Sequence, residues 1–457
     1  MTRWQSLSLA AAALSLGACG SGDGDEAVGT ASAPLTFWQD VAPVFYQRCV
    51  SCHREGGIAP FRLDDYESAR TWAAASKEAV ASRRMPPWLA TADGSCNTFR
   101  DSAWLSDEEV RVIGAWADSE RREGAPRADL APPSRPGLGG AVEIASPEFT
   151  PEPLGTDYAE SDEYRCFLVD PALAADRFLT GYDVSPGNDA LVHHVLVIPV
   201  DPAAPALDGR TNLDVMTAYD ADSPDRAGWP CFSGAGDGVT SRGIPVTWAP
   251  GQGAVDYPAG IGVRIPAGNL LVMQVHYNMA DASLRGQSAR TAVKLRLEER
   301  VEREGVFLDV DPFLGSLLRG RPDEVPAGLA VAPYDWEVPY EQLLAFQLGG
   351  EPIPYLDVYG VFPHMHERGL SLRSSLGRAD GSEACTLDVP RWDFGWQLIY
   401  FYDEPLRFGP GDRLRATCTY DTRGMSAPLR PGWSTQDEMC LTGLLFALPP
   451  PAPGAAP

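Results

Sequence analysis

Histidine is scarce in this chain, with six residues in 457, so any chemistry that needs imidazole is confined to a few places. Cationic side chains are outnumbered, 37 Lys and Arg against 62 Asp and Glu, giving a net charge of −25. That balance leaves no basic patch to neutralise a phosphate backbone, and nucleic acid is not expected as a partner. After residue 19 no apolar run is long enough to cross a bilayer as a helix, and no internal repeat is visible. What remains is ordinary for an ordered, loop-rich protein: 44% hydrophobic residues, 45 Gly and 41 Pro. The length accommodates roughly two to four domains.

The first residues speak to the compartment. MTRWQSLSLAAAALSLGAC has a cationic start, an apolar run and small residues ahead of Cys19, the layout of a signal peptide over residues 1–18. Leu16-Gly17-Ala18-Cys19, followed by Gly20, resembles a bacterial lipoprotein lipobox, which implies that Cys19 becomes the acylated first residue of the mature chain. The alternative is an ordinary cleaved signal with Cys19 incidental. Residues 19–35 are small and polar, as a lipidated flexible tether should be. The expectation is an exported bacterial lipoprotein, in the periplasm or at the outer-membrane surface, whose body meets the membrane only through its lipid anchor.

Three further blocks follow. Residues 36–123 read as helical: DDYESARTWAAASKEAVASRR is one helix, and Ser106 with Glu109 forms a capping box ahead of a stripe of Val110, Ile113 and Trp116. Residues 124–145 are a Pro/Gly linker. Beyond it the pattern turns to β alternation, as in TAVKLRLEE, and to strand-like runs at LVHHVLVIPV, LLVMQVHYN, WQLIYFY and RLRATCTY. The expected architecture is multidomain: a small α-helical domain followed by two antiparallel β-sandwiches, at 146–300 and 301–447. Residues 448–457 form a disordered tail.

Cys49-Val-Ser-Cys52-His53, in the helical block, is the C-x-x-C-H arrangement for covalent haem. Two thiols one helical turn apart reach neighbouring vinyl groups of one porphyrin edge, and the adjacent imidazole ligates iron. A thioredoxin-like redox pair or a zinc half-site would use similar residues, but no βαβ pattern surrounds the motif and no second Cys pair lies nearby. Met85, held by prolines in RRMPPW, resembles the distal-ligand loop of c-type cytochromes. The 36–123 block is therefore expected to be a cytochrome c domain with one covalent haem c, His53 proximal and Met85 distal.

The other five histidines all fall in the β region. In VFPHMHERG, strand alternation points His364 and His366 the same way and Met365 the other, the geometry of a two-tooth chelate. Two solvated histidines at a strand end would look the same. His193 and His194 are adjacent in an apolar run, so a regular strand cannot aim both at one metal. Either the strand bulges or ends there, or the two rings coordinate through different nitrogens. His276, in MQVHYN, lies on the polar-facing side with Gln274 and Asn278 and could supply a third nitrogen. Three imidazoles suit copper or zinc.

Taken in order, HH in an apolar strand, QVHY, HxH and DEMC resemble the copper type II monooxygenases, the family of peptidylglycine α-hydroxylating and dopamine β-monooxygenases, over about residues 146–447. The resemblance implies two copper ions. His193, His194 and His276 would hold the electron-transfer copper, and His364, His366 and Met439 the copper where O2 binds. A soft thioether at Met439 favours Cu(I). The implied reaction is R–H + O2 + 2e⁻ + 2H⁺ → R–OH + H2O on a small organic substrate. The eukaryotic relatives draw electrons from ascorbate. Here the fused haem domain would take that role, fed by an external donor such as a periplasmic cytochrome or a small reductant. The resemblance also implies disulfides Cys166–Cys231 and Cys418–Cys440, whereas Cys96 and Cys385 have no counterpart and are either paired across domains or unpaired.

The pattern departs from the peptide-hydroxylating members at three positions. Their carboxylate-binding Arg is Phe362 here, and their downstream Asn and Tyr are Leu441 and Gly443, which points to a more apolar substrate. Two other readings stand beside the enzyme: a non-catalytic periplasmic haem and copper carrier, and a zinc hydrolase using His364 and His366 with Glu367 as its base.

Overall fold

The computed structural model describes residues 34–55, 59–131, 138–139, 141–153, 161–231, 234–241, 243–249, 252–279, 281–347, 352–432 and 437–450. The expected signal peptide, Cys19, most of the tether and residues 451–457 lie outside them. No helix among the described residues is long and apolar enough to cross a membrane.

The helical body is built from a π-helical turn Phe37–Val41 running into helix Ala42–Arg48, then helices Tyr66–Ala81 and Asp107–Asp118. Asp65 caps the second helix by accepting from the Ser68 amide, and the third opens on the expected capping box between Ser106 and Glu109. Phe37, Phe45, Val80, Ile113 and Trp116 form its core. The body is closed at its base by the Phe37 and Trp38 amides, which donate to the Arg122 and Glu123 carbonyls.

The β region differs from two separate antiparallel sandwiches in one respect. A nine-stranded sheet runs through both halves, joined where strand Arg303–Val310 pairs in parallel with Ile261–Ile265. A five-stranded sheet covers its first half and a four-stranded sheet its second. The strands on either side of residue 300 thus share one sheet, and the first core also crosses the 300/301 boundary, taking in Phe307, Phe401 and Leu445. Alternation within a strand marks which face is buried and not which strand lies beside it, so it could not reveal this join.

Residues 36–123 are likewise not self-contained. The segment after Met85 leaves the helical body and enters the second sandwich, where Leu89, Ala90 and Phe99 belong to its buried core. Trp88 packs edge-on against Tyr400 at 4.9 Å, and Phe99 stacks on Tyr402 at 5.5 Å. Backbone bonds from Thr91 to Asp388 (2.8 Å) and from Arg100 to Phe401 (2.8 Å) sew the arm in place. Cys96 and Cys385 are disulfide-bonded across a sequence separation of 289, which settles the pair that the sequence left open. The other two bridges are Cys166–Cys231 and Cys418–Cys440.

A cross-link of that span restricts the unfolded chain strongly, a contribution of about 2–5 kcal/mol. Replacing Cys96 and Cys385 together by Ser is therefore expected to lower the melting temperature. It should also raise amide exchange over residues 86–101 more than over Tyr66–Ala81. Equal exchange in the two segments would mean that the arm holds without its staple.

Candidate metal centres

The strand Val192–Val200 carries a β-bulge: Val192 faces Tyr277 and His194 faces His276, leaving His193 as the extra residue. The bulge turns two adjacent histidines toward one point. Nδ1 of His193 and Nδ1 of His194 each lie 3.2 Å from Nδ1 of His276, and the ligand atoms of the three histidines are all within 4.8 Å of one another. His276 shares its strand face with Gln274 and Asn278 and is buried, and on that side the Gln274 amide donates to the Gly234 carbonyl at 2.8 Å.

The outer contacts explain the orientation. His276 Nε2 donates to Asp162 Oδ1 at 3.1 Å, and Asn278 Nδ2 donates to the same oxygen at 2.8 Å. With Nε2 carrying the proton, His276 Nδ1 presents a lone pair toward His193 and His194. Tyr164 stacks flat on the His276 ring at 3.9 Å and fixes its plane. One lone pair can accept from only one of the two neighbouring rings. Three nitrogens thus converge where a single hydrogen bond can be made, a mismatch that a cation resolves. Burial pulls all three imidazoles below their ordinary range, His194 and His276 furthest, so the rings are neutral and their lone pairs available. The donor set fits copper.

The second cluster lies at the end of strand Leu356–His364 and in the turn after it. His364 and His366 face each other edge to face with centroids 5.0 Å apart, while Met365 is wholly buried in the opposite core, as alternation requires. Each imidazole is tied at Nδ1: His364 donates to Gln397 Oε1, and His366 to the Asp437 carbonyl at 3.2 Å. Glu438 organises the rest. Its buried carboxylate accepts from the backbone amides of His366 (2.8 Å), Arg368 (2.7 Å) and Met439 (3.4 Å), with His366 and Met439 sharing Oε2. One carboxylate oxygen therefore draws the backbone of Met439 toward that of His366. Burial pushes Glu438 up to about 8 against the pull of these donors. The Cys418–Cys440 bridge and the Tyr420 hydroxyl, which donates to the Met439 carbonyl at 2.8 Å, hold the segment from behind. Glu367 is exposed, so the carboxylate beside the pair is Glu438, spent on backbone amides.

Phe362 lies parallel to His364 at 6.3 Å, where the peptide-hydroxylating enzymes would place Arg. Gly443 pairs with Phe362, and a Cβ there would meet the Phe362 Cβ at 3.2 Å and Asp309 Oδ1 at 3.1 Å, so a side chain at this position would be tightly packed. Asp162, Gln397, Phe394 and Glu438 all act at these clusters and were missed from sequence. Only Glu438, inside DEMC, sat in a motif.

In the helical body, the Cys52 and His53 amides both bond the Cys49 carbonyl, winding C-x-x-C-H into a turn. Cys49 and Cys52 are unbridged. Burial pushes the Cys49 thiol up to about 12. His53 Nδ1 donates to the Phe61 carbonyl at 3.1 Å, which orients Nε2 for a ligand. This donor set fits covalent haem. Met85 begins the arm and is 37% exposed.

Asp162→Asn is expected to weaken metal binding at the three-histidine cluster about 10–100-fold, with no change at the other, as read by chelator competition. The same titration run against pH gives a second test. Because burial depresses these imidazoles, protons should begin to compete with metal only below the ordinary value near 6.5. Affinity that already declines above pH 6.5 would contradict the buried, neutral cluster.

Residues 351–452 match the family described as copper type II ascorbate-dependent monooxygenase, C-terminal domain. DBH-like monooxygenase protein 1 of Gallus gallus is 24% identical over 45% of this chain and 33% of its own length, and its Homo sapiens counterpart 22% over 57% and 40%. Tyramine beta-hydroxylase of Caenorhabditis briggsae is 23% identical over 58% of this chain and 41% of its own. The matches thus span less than half the length of these relatives. Among solved structures, the major capsid protein P2 of bacteriophage PM2 aligns over 65% of this chain and all of its own at 8% identity and a TM-score of 0.20, too low to carry an argument. Taken together, the family match and the three relatives support the copper type II ascorbate-dependent monooxygenase family for the β region.

Proposed function

We propose that the chain is a copper-dependent monooxygenase that hydroxylates a C–H bond of a small, apolar organic molecule with O2, and that its electrons enter through haem c on the helical body. The observation that carries the reading is the convergence of the three Nδ1 atoms of His193, His194 and His276. They would hold one copper, and His364, His366 and Met439 a second. When bound, copper supplies one-electron exchange at the first cluster and O2 chemistry at the second.

The chain's own residues prepare both sites. Asp162 and Gln397 set the tautomers of His276 and His364, and Glu438 holds His366 and Met439 in one turn. Phe362 lines the second site with an apolar ring, which supports a substrate without a carboxylate. Cys49, Cys52 and His53 would carry the haem, a one-electron carrier, with Met85 as its distal ligand. The stapled arm keeps that carrier docked instead of tethered, a stronger constraint than effective concentration alone. Export and acylation at Cys19 complete the proposal, and fit the three disulfides.

The test is metal content on mature chain offered copper and zinc in competition. About one copper per histidine cluster and one haem iron per chain are expected. Zinc in the clusters, or iron alone, would refute the enzyme. Met439→Leu should then abolish hydroxylation while copper stays at the three-histidine cluster and haem reduction survives. Retained hydroxylation would remove Met439 from the site.

A further inference from the structure

The two histidine clusters come from different sandwiches, and one short segment touches both. The Phe394 ring stacks on His193 at 5.2 Å with planes 25° apart. It also meets His366 edge-on at 6.2 Å and 88°. Its carbonyl accepts from Gln397 Nε2 at 2.9 Å, and the same amide's oxygen accepts from His364 Nδ1. Two residues earlier, the Trp392 indole donates to the His366 carbonyl at 3.0 Å. The turn is braced internally: the Gly395 amide bonds the Asp393 carboxylate at 3.1 Å and the Trp396 amide bonds its carbonyl at 3.0 Å.

We infer that Phe394 is a positioning residue that clamps the His193 ring against the His364–His366 pair, so that the turn Trp392–Gln397 sets the separation of the two clusters. The assignment rests on the metal-site reading above. His193 is the bulged residue of its strand, outside the regular ladder, so its ring is the one of the three most in need of an outside support. A flat ring stacked on it restricts the imidazole to one plane. The Gln397 amide has both ends committed, donor to Phe394 and acceptor from His364, so a shift of the turn is felt at both clusters. Phe394 itself is only half-buried, which makes its removal compatible with folding.

The test has two readouts. In the metal-free protein labelled at its six histidines, the ring protons of His193 should carry a ring-current shift that disappears in Phe394→Leu and returns in Phe394→Tyr. With both clusters filled with Cu(II), pulsed dipolar spectroscopy should give a single narrow distance in the parent protein and Phe394→Tyr, and a broadened, longer distribution in Phe394→Leu. An unchanged distance in Phe394→Leu overturns the positioning role, and an unchanged histidine shift overturns the contact itself. Failure of the metal reading looks different, since the parent protein would then not take up two copper ions while the shift comparison still decides the clamp.

Discussion

A buried imidazole has two nitrogens, and leaving either without a partner in a low-dielectric interior is costly. In this protein the folding chain ties one nitrogen and orients the other. His276 is tied at Nε2 to Asp162, and His364, His366 and His53 at Nδ1 to Gln397 and to the Asp437 and Phe61 carbonyls. The choice of tied nitrogen determines which one a ligand meets, so each cluster has its own chemical face before any metal arrives. At His193 and His194 the bulge does the same work by backbone geometry. The anchoring groups are therefore as much a part of the centres as the histidines.

The sheets serve that constraint. Strand Leu270–Asn278 is central to the five-stranded sheet, with Asp162–Val169 on one side and Val192–Val200 on the other, so it receives Asp162 and Tyr164 from one neighbour and two histidines from the other. Strand Leu356–His364 runs beside Leu441–Ala447 and delivers His364 opposite Leu441, just beyond Met439. The continuous nine-stranded sheet underlies both sandwiches and gives the two clusters a common base. The second cluster disfavours charge on the first, His364 acting on His194 and His366 on His276.

Much of this was legible because the signals were local. The Ser106 capping box, the opposed faces of Met365 and the His364–His366 pair, and the departure from a regular strand as one of the ways to reconcile His193 with His194 all follow from periodicity within a few residues. The shared sheet was not legible, since a parallel pairing between residues 261–265 and 303–310 leaves no mark in either strand. Nor was the arm: Leu89, Ala90 and Phe99 read as one more loop of a helical domain, and their partners lie some three hundred residues away. Asp162, Gln397 and Phe394 carry no motif, because bonding to a distant histidine or stacking on one imposes nothing on the sequence around them. For Met439, which spacing alone would leave as a core residue, the ordered family resemblance is what suggests a role.

The arm has one more implication. Leu89, Ala90 and Phe99 belong to the core of a sandwich that is encoded far downstream, so the second sandwich is incomplete within its own stretch of chain. Synthesis delivers the arm early, and it must wait for Tyr400, Tyr402 and Cys385 before it can be buried, a contact order that places its docking late in folding. A helical domain that has lent core residues to its neighbour is no longer a module. Trimming the gene to its β half would open an apolar groove along the second sandwich, and replacing the helical body would require its substitute to bring an arm of its own.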